Sequence, residues 1–287
     1  MPAISTAEGV SIYYEDLDFT APPERINPPV VFIHGLGCTW RVWARQIPWV
    51  AQHRRVIALD CRGAGQSTAP HRDWTIADMA SDVVELLNVL GIRQTTVVGL
   101  SMGGTVALQF ALDHPNRLRD LVLAGTLSGI PDLLMHKVEQ ELNFVLTQSM
   151  SAIARVRITN AFTDSVDPRL RDWAIEMVAR NDIDHYRRAA RATVAFDVRH
   201  RLREIRVPTT IICGSEDRST PAAMSAELHR GIPHSRYVEL PGASHFANLE
   251  SSSAFNRALA DALKIPLPQT AAVVSGDPVE ERERGLT

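Results

Sequence analysis

One turn constrains this chain more than any other feature: Val97-Val98-Gly99-Leu100-Ser101-Met102-Gly103-Gly104. The β-branched run Thr95 to Val98 predicts a buried strand that breaks at Gly99. Met102 to Leu112 has the pattern of a helix, closed by His114-Pro115. Gly99, Ser101 and Gly103 thus spell G-x-S-x-G at a strand-to-helix junction. In such a turn the serine sits on a sharp, strained bend with its hydroxyl above the sheet edge. The flanking glycines are needed because a Cβ there would strike the neighbouring strand and helix. The bare pattern recurs by chance; its place between strand and helix makes Ser101 a candidate nucleophile.

Apolar runs on either side extend the strand reading. Val10 to Tyr14 is a short strand, with Leu17 to Thr20 expected to pair with it as a hairpin, and Ala21 to Pro29 is a proline-marked turn. Val30 to Ile33 and Val56 to Leu59 are unbroken apolar runs of the buried parallel type, as is Leu121 to Ala124. Arg41 to Ala51 has helical spacing interrupted by Pro48. The clearest helix is Thr75 to Leu90. Thr75 and Asp78 form a capping box, Ile76, Met79, Val83, Leu86, Leu87 and Leu90 make one apolar stripe, and Gly91 closes the end. The order β-α-β-α-β-α-β calls for a parallel sheet with right-handed crossovers and helices on both faces.

The rhythm changes near Thr126. From Leu127 to about Arg206 the segment reads as helical, with helices expected at Met135–Gln148, Met150–Thr159, Pro168–Arg180 and His185–Val194. A helical insertion of that length between sheet strands predicts a cap over the strand ends. Strand pattern resumes at Thr209 to Cys213 and Tyr237 to Leu240, with helices at Pro221–Gly231 and Glu250–Leu263. This divides the chain into a first core part over 1–126, a cap over 127–206, a second core part over 207–265 and a flexible tail over 266–287.

Composition excludes several function classes. With 30 Lys+Arg against 33 Asp+Glu, the formal charge is -3, without the basic excess that phosphate-backbone binding requires. No apolar run approaches the ~20 residues of a membrane span, and Met1 to Ser5 lacks a signal-peptide start. Cys38, Cys61 and Cys213 fit neither a disulfide framework nor a zinc motif, so reduced thiols in the cytoplasm are expected, with no metal or organic cofactor.

Five motifs, each at a strand end, now stand in order: His34-Gly35-Leu36-Gly37, Asp60 to Ser67, the Ser101 turn, Gly214-Ser215-Glu216-Asp217, and Gly242-Ala243-Ser244-His245. Together they resemble the α/β-hydrolase-fold superfamily from Val10 to Leu263. The resemblance implies an α/β fold: a mostly parallel, eight-stranded sheet, helices on both faces, and a helical cap after the sixth strand. Serine is a poor nucleophile at neutral pH and needs a base. Histidine suits that role, and a carboxylate behind it fixes the tautomer. The family order Ser, acid, His assigns Ser101, Asp217 and His245. Glu216 is the rival acid, but its side chain would leave the turn on the other side. The resemblance also gives the backbone N–H groups of Leu36 and Met102 as the oxyanion hole.

Neighbouring residues receive plainer readings. His34 is expected to order the oxyanion loop and, with Gly35, Trp40 and Phe246, to border the substrate pocket. The other eight histidines read as surface or helix-end residues. Asp60 follows a strand too, but Arg62-Gly63-x-Gly65 after it suggests a turn knitted by an Asp60–Arg62 pair.

The serine nucleophile argues against dehalogenase and epoxide hydrolase chemistry and for acyl transfer to water. The motif set looks most like the 3-oxoadipate enol-lactone hydrolase branch, departing from it in the longer tail and in Phe246. The expectation is a cytoplasmic serine hydrolase for a small ester or lactone, with no nucleic-acid or membrane partner, and a homodimer left open. Three alternatives stay open: a meta-cleavage-type carbon–carbon hydrolase with the same triad, cofactor-independent oxygenation or perhydrolysis, and a non-catalytic ligand receptor.

Overall fold

The computed structural model describes residues 2–20 and 27–267. Apart from Pro266 and Leu267, the expected tail lies outside the described residues, as does most of the expected turn at 21–29.

Eight strands form one sheet: β1 (Ala3–Ser5), β2 (Ser11–Leu17), β3 (Val30–Ile33), β4 (Val56–Leu59), β5 (Thr95–Leu100), β6 (Leu118–Ala124), β7 (Thr209–Gly214) and β8 (Arg236–Leu240). Their spatial order is β1-β2-β4-β3-β5-β6-β7-β8. β2 pairs antiparallel with β1 and β4, and the six strands from β4 to β8 are mutually parallel. The expected hairpin of Val10–Tyr14 with Leu17–Thr20 is not formed. Ser11 to Leu17 is a single strand, and its hairpin partner is β1, with Ile4 opposite Ile12. Asp18 turns the chain out of the sheet by accepting the Thr20 N–H at 3.1 Å.

The helices are α1 (Ile47–Val50), α2 (Ile76–Val89), α3 (Met102–Asp113), α4 (Asp132–Thr147), α5 (Met150–Ala161), α6 (Pro168–Ala179), α7 (Ile183–Val194), α8 (Ala222–Gly231), α9 (Ala247–Glu250) and α10 (Ser252–Leu263). Alternate residues of the central strands feed two cores. Val31, Ile33, Val97 and Leu121 pack with α2 and α3. Val30, Phe32, Val98 and Val122 pack with Trp43, Phe255 and α10 on the other face. Burial on both faces is why these strands read as unbroken apolar runs. The capping box of α2 is present in both directions, Thr75 N–H to Asp78 at 2.7 Å and Asp78 N–H to Thr75 at 3.2 Å. Pro48 permits only the one-turn α1 where a longer helix is expected, preceded by a 3-10 turn at Trp40–Trp43.

The expected Asp60–Arg62 pair is not made. Asp60 instead accepts the backbone N–H groups of Trp40 (2.8 Å) and Gln66 (3.0 Å), tying the loop after β4 to itself and to the loop after β3. Arg62 grips Asp82 on α2 through two bonds of 2.7 and 2.8 Å, and both side chains are almost fully buried. Arg62→Ala would strand the Asp82 carboxylate. The expected loss is about 3–5 kcal/mol, read from urea unfolding.

Candidate active site

Ser101 joins β5 to α3 at φ 54°, ψ −119°, in the left-handed region that a non-glycine residue enters only when the fold compels it. Its N–H donates to the Ala124 carbonyl at 2.9 Å. Its own carbonyl accepts the Gly104 N–H (2.8 Å) and the Thr126 hydroxyl (2.7 Å). The serine hydroxyl makes no capping bond to α3. The glycines do what the motif demands. A Cβ on Gly99 would strike the Gly103 backbone, and one on Gly103 would fall against the Ile33 carbonyl and 2.6 Å from the His34 carbonyl oxygen. Gly103→Ala is expected to cost at least about 3 kcal/mol or prevent folding, measured by denaturant unfolding and soluble yield.

β7 and β8 deliver the other two residues to the same sheet edge. His245 Nδ1 lies 2.8 Å from Asp217 Oδ2, and both residues are buried. Asp217 also accepts the backbone N–H groups of Ser219 and Thr220 and the Thr220 hydroxyl, each at 2.8 Å. Burial alone would push its pKa up. The His245 charge and the bonds from His245 and Thr220 outweigh that and hold it below the ordinary carboxylate value. Two contributors escape sequence reasoning. Thr220 braces the carboxylate, and its only signal is a hydroxyl three residues after an aspartate. Gly125, at φ 45°, backs onto the pair so closely that a Cβ would sit 3.2 Å from Asp217 Oδ2 and 3.3 Å from His245 Nδ1.

Ser101 and His245 line one cavity of about 30 Å³, with Gly35, Leu36 and Phe246 beside them. Arg157 of α5, Val178 of α6 and Tyr186 of α7 close it from the inserted helices. The Met102 N–H, at the first position of α3, has no partner within its helix, and the helix dipole favours negative charge there.

Two expected pocket residues lie elsewhere. His34 is fully buried: Nδ1 lies 2.7 Å from the Gly35 carbonyl, and Nε2 accepts the Cys61 N–H at 2.9 Å. Burial pushes its pKa down, against the Asp60 charge and the Gly35 bond, so the ring stays neutral and bridges the loops after β3 and β4. Trp40 is carried away from Ser101 by the Asp60 bond to its N–H and lines a different cavity. Glu216, the rival acid, uses its N–H on the Ala243 carbonyl at 2.9 Å, while the Asp217 carboxylate meets His245. Among the described residues no cluster of metal-ligating side chains occurs, and no helix is long and apolar enough to cross a membrane.

The chain is similar in sequence to known proteins along most of its length. It is 29% identical over 262 residues to 3-oxoadipate enol-lactonase 2 of Acinetobacter baylyi, covering 90% of this chain and 95% of that protein. It is 30% identical over 260 residues to the putative carbamate hydrolase RutD of Shigella flexneri, covering 86% and 95%. The enol-lactonase structure from Burkholderia xenovorans superposes with a TM-score of 0.84 at 28% identity, covering 92% of this chain and all of that one. The sequence profile of the alpha/beta hydrolase fold matches residues 28–252. This protein belongs to the alpha/beta hydrolase fold family.

Proposed function

We propose that the protein is a serine hydrolase that cleaves a small carboxylic ester or lactone through an acyl-enzyme on Ser101. The observation that carries this reading is the buried His245–Asp217 pair, 2.8 Å apart, with His245 and Ser101 facing one cavity. Asp217 holds the proton on Nδ1, which leaves Nε2 free to accept the Ser101 hydroxyl proton during attack on the carbonyl. The oxyanion forms against the backbone N–H groups of Leu36 and Met102, and each such donor contributes on the order of 10²–10³ in kcat. His245 returns its proton to the leaving alkoxide, and water then clears the acyl group by the same route in reverse. With a lactone the leaving hydroxyl stays tethered, so deacylation must outrun re-closure.

Helices α4–α7, within residues 127–206, act in this reading as a cap. In this reading Arg157 of α5, Val178 of α6 and Tyr186 of α7 cover the small cavity beside Ser101 and set what can enter it. The enol-lactonase relatives support a lactone first, and RutD, a putative carbamate hydrolase, adds carbamates to the candidate substrates. Proton release would be followed across lactones, alkyl and aryl esters, a carbamate and a dienoic ring-cleavage product, beside Ser101→Ala. Acid release from esters or lactones that vanishes in the variant is the expected result. Turnover of the dienoic ketone alone would move the activity to carbon–carbon hydrolysis. Silence from the folded wild type on every substrate would favour a receptor.

A further inference from the structure

A second, much larger cavity of about 660 Å³ lies where α6 and α7 meet the loops after β3 and β4. None of Ser101, Asp217 and His245 lines it. The turn between α6 and α7 is the partition between the two spaces. Val178 and Tyr186 face the Ser101 cavity, whereas Met177, Arg180 and Asn181 face the large one. The Asn181 amide ties this partition to the core by donating to the Gly37 carbonyl at 2.8 Å, and it also donates to the Val178 carbonyl of α6 at 2.9 Å.

We propose that this cavity is a second ligand site, for a small aromatic carboxylate, and that its occupancy acts on the loop from Gly35 to Trp40. The volume falls within the range of small-molecule sites. Two partly exposed indoles, Trp40 from the core and Trp173 from α6, supply ring surface, and the Arg41 guanidinium lies 5.0 Å over the Trp40 ring. The acids at this cavity are already engaged. Asp60 is buried on two backbone N–H groups, Asp182 accepts the Asp184 and His185 N–H groups at 2.9 Å each, and Glu176 has a partner of its own. Arg180 makes no ion pair among the described residues, which leaves a guanidinium at the rim for a ligand carboxylate. A ligand seated there touches Trp40 and Asn181, whose bonds to Asp60 and to the Gly37 carbonyl hold the stretch Gly37–Trp40 that directly follows Leu36. The effect on turnover rests on the Ser101 reading; the binding does not.

The site is tested by calorimetric titration of Ser101→Ala protein with benzoate, benzamide and cyclohexanecarboxylate. Saturable benzoate binding is expected, at least tenfold tighter than either analogue, because one lacks the charge and the other the ring. Arg180→Gln and Trp173→Ala are each expected to weaken it about tenfold. Absence of saturable benzoate binding at millimolar concentration, equal affinity for benzamide, or undiminished affinity in both variants would overturn the proposal. So would loss of benzoate binding in wild type phosphonylated at Ser101, which would put the ligand in the Ser101 cavity. With wild type, saturating benzoate should change the rate of Ser101 phosphonylation severalfold, and an unchanged rate would overturn the action on the loop. Should Ser101 resist phosphonylation altogether, the titrations on Ser101→Ala still decide the site.

Discussion

Ser101→Ala is expected to lose turnover by a factor on the order of 10⁶ in kcat, keeping only the residual rate that the oxyanion donors and binding supply. Stability should stay within about 0.5 kcal/mol of wild type, because the hydroxyl makes no capping bond and alanine keeps the Cβ in the same backbone conformation. Ser101→Gly separates the two roles of this position. The residue sits at φ 54°, which glycine occupies without strain, so Ser101→Gly should be equally inactive but about 1 kcal/mol more stable. Urea unfolding of the three proteins checks this. A glycine variant less stable than the alanine variant would show that the turn is not strained by its serine.

Asp217→Asn should cost on the order of 10⁴ in kcat. The wild-type carboxylate accepts four hydrogen bonds: from His245, from the Ser219 and Thr220 N–H groups, and from the Thr220 hydroxyl. An amide oxygen that keeps the two loop N–H groups turns the NH₂ toward His245. It then donates to Nδ1 and drives the ring proton onto Nε2, where it blocks acceptance from Ser101. A pH signature accompanies the loss. Asp217 has its pKa held below the ordinary value of about 3.9, so its contribution to stability is complete above that value and fades as pH falls through the folded-state pKa. The gap in unfolding free energy between wild type and Asp217→Asn should therefore shrink as pH falls below about 4. A gap that widens in acid would contradict the assignment of charge to this carboxylate.

Local features of this molecule are legible in the chain, and features made by distant segments are not. The α2 helix announces its cap and stripe within sixteen residues, and the Ser101 turn spells out its own steric demand through Gly99 and Gly103. Both are decided by neighbours a few positions away. The β1 strand, three residues long, has no periodicity to read and exists because Ile4 and Ile12 share a buried face. Arg62 invites pairing with the nearby Asp60, but β4 buries Asp60 among backbone donors, and the cation finds Asp82 across α2. The same holds at the site. The strand ends bring Ser101, Asp217 and His245 to one edge in an order that the sequence displays. Thr220, Gly125 and the Asn181 bond to Gly37 arise only where separate loops meet. Trp40, which the sequence places at the border of the substrate pocket, lines the larger cavity instead, where its N–H donates to Asp60.

Activation of Ser101 by His245 can be tested without knowing the substrate. Wild type, Ser101→Ala and His245→Ala would be incubated with a fluorophosphonate and examined by intact mass and peptide mapping. One phosphonyl group per wild-type chain is expected, on Ser101, with none on Ser101→Ala and labelling at least about 10³-fold slower on His245→Ala. Labelling of another residue, or equally fast labelling of Ser101 without His245, would contradict it.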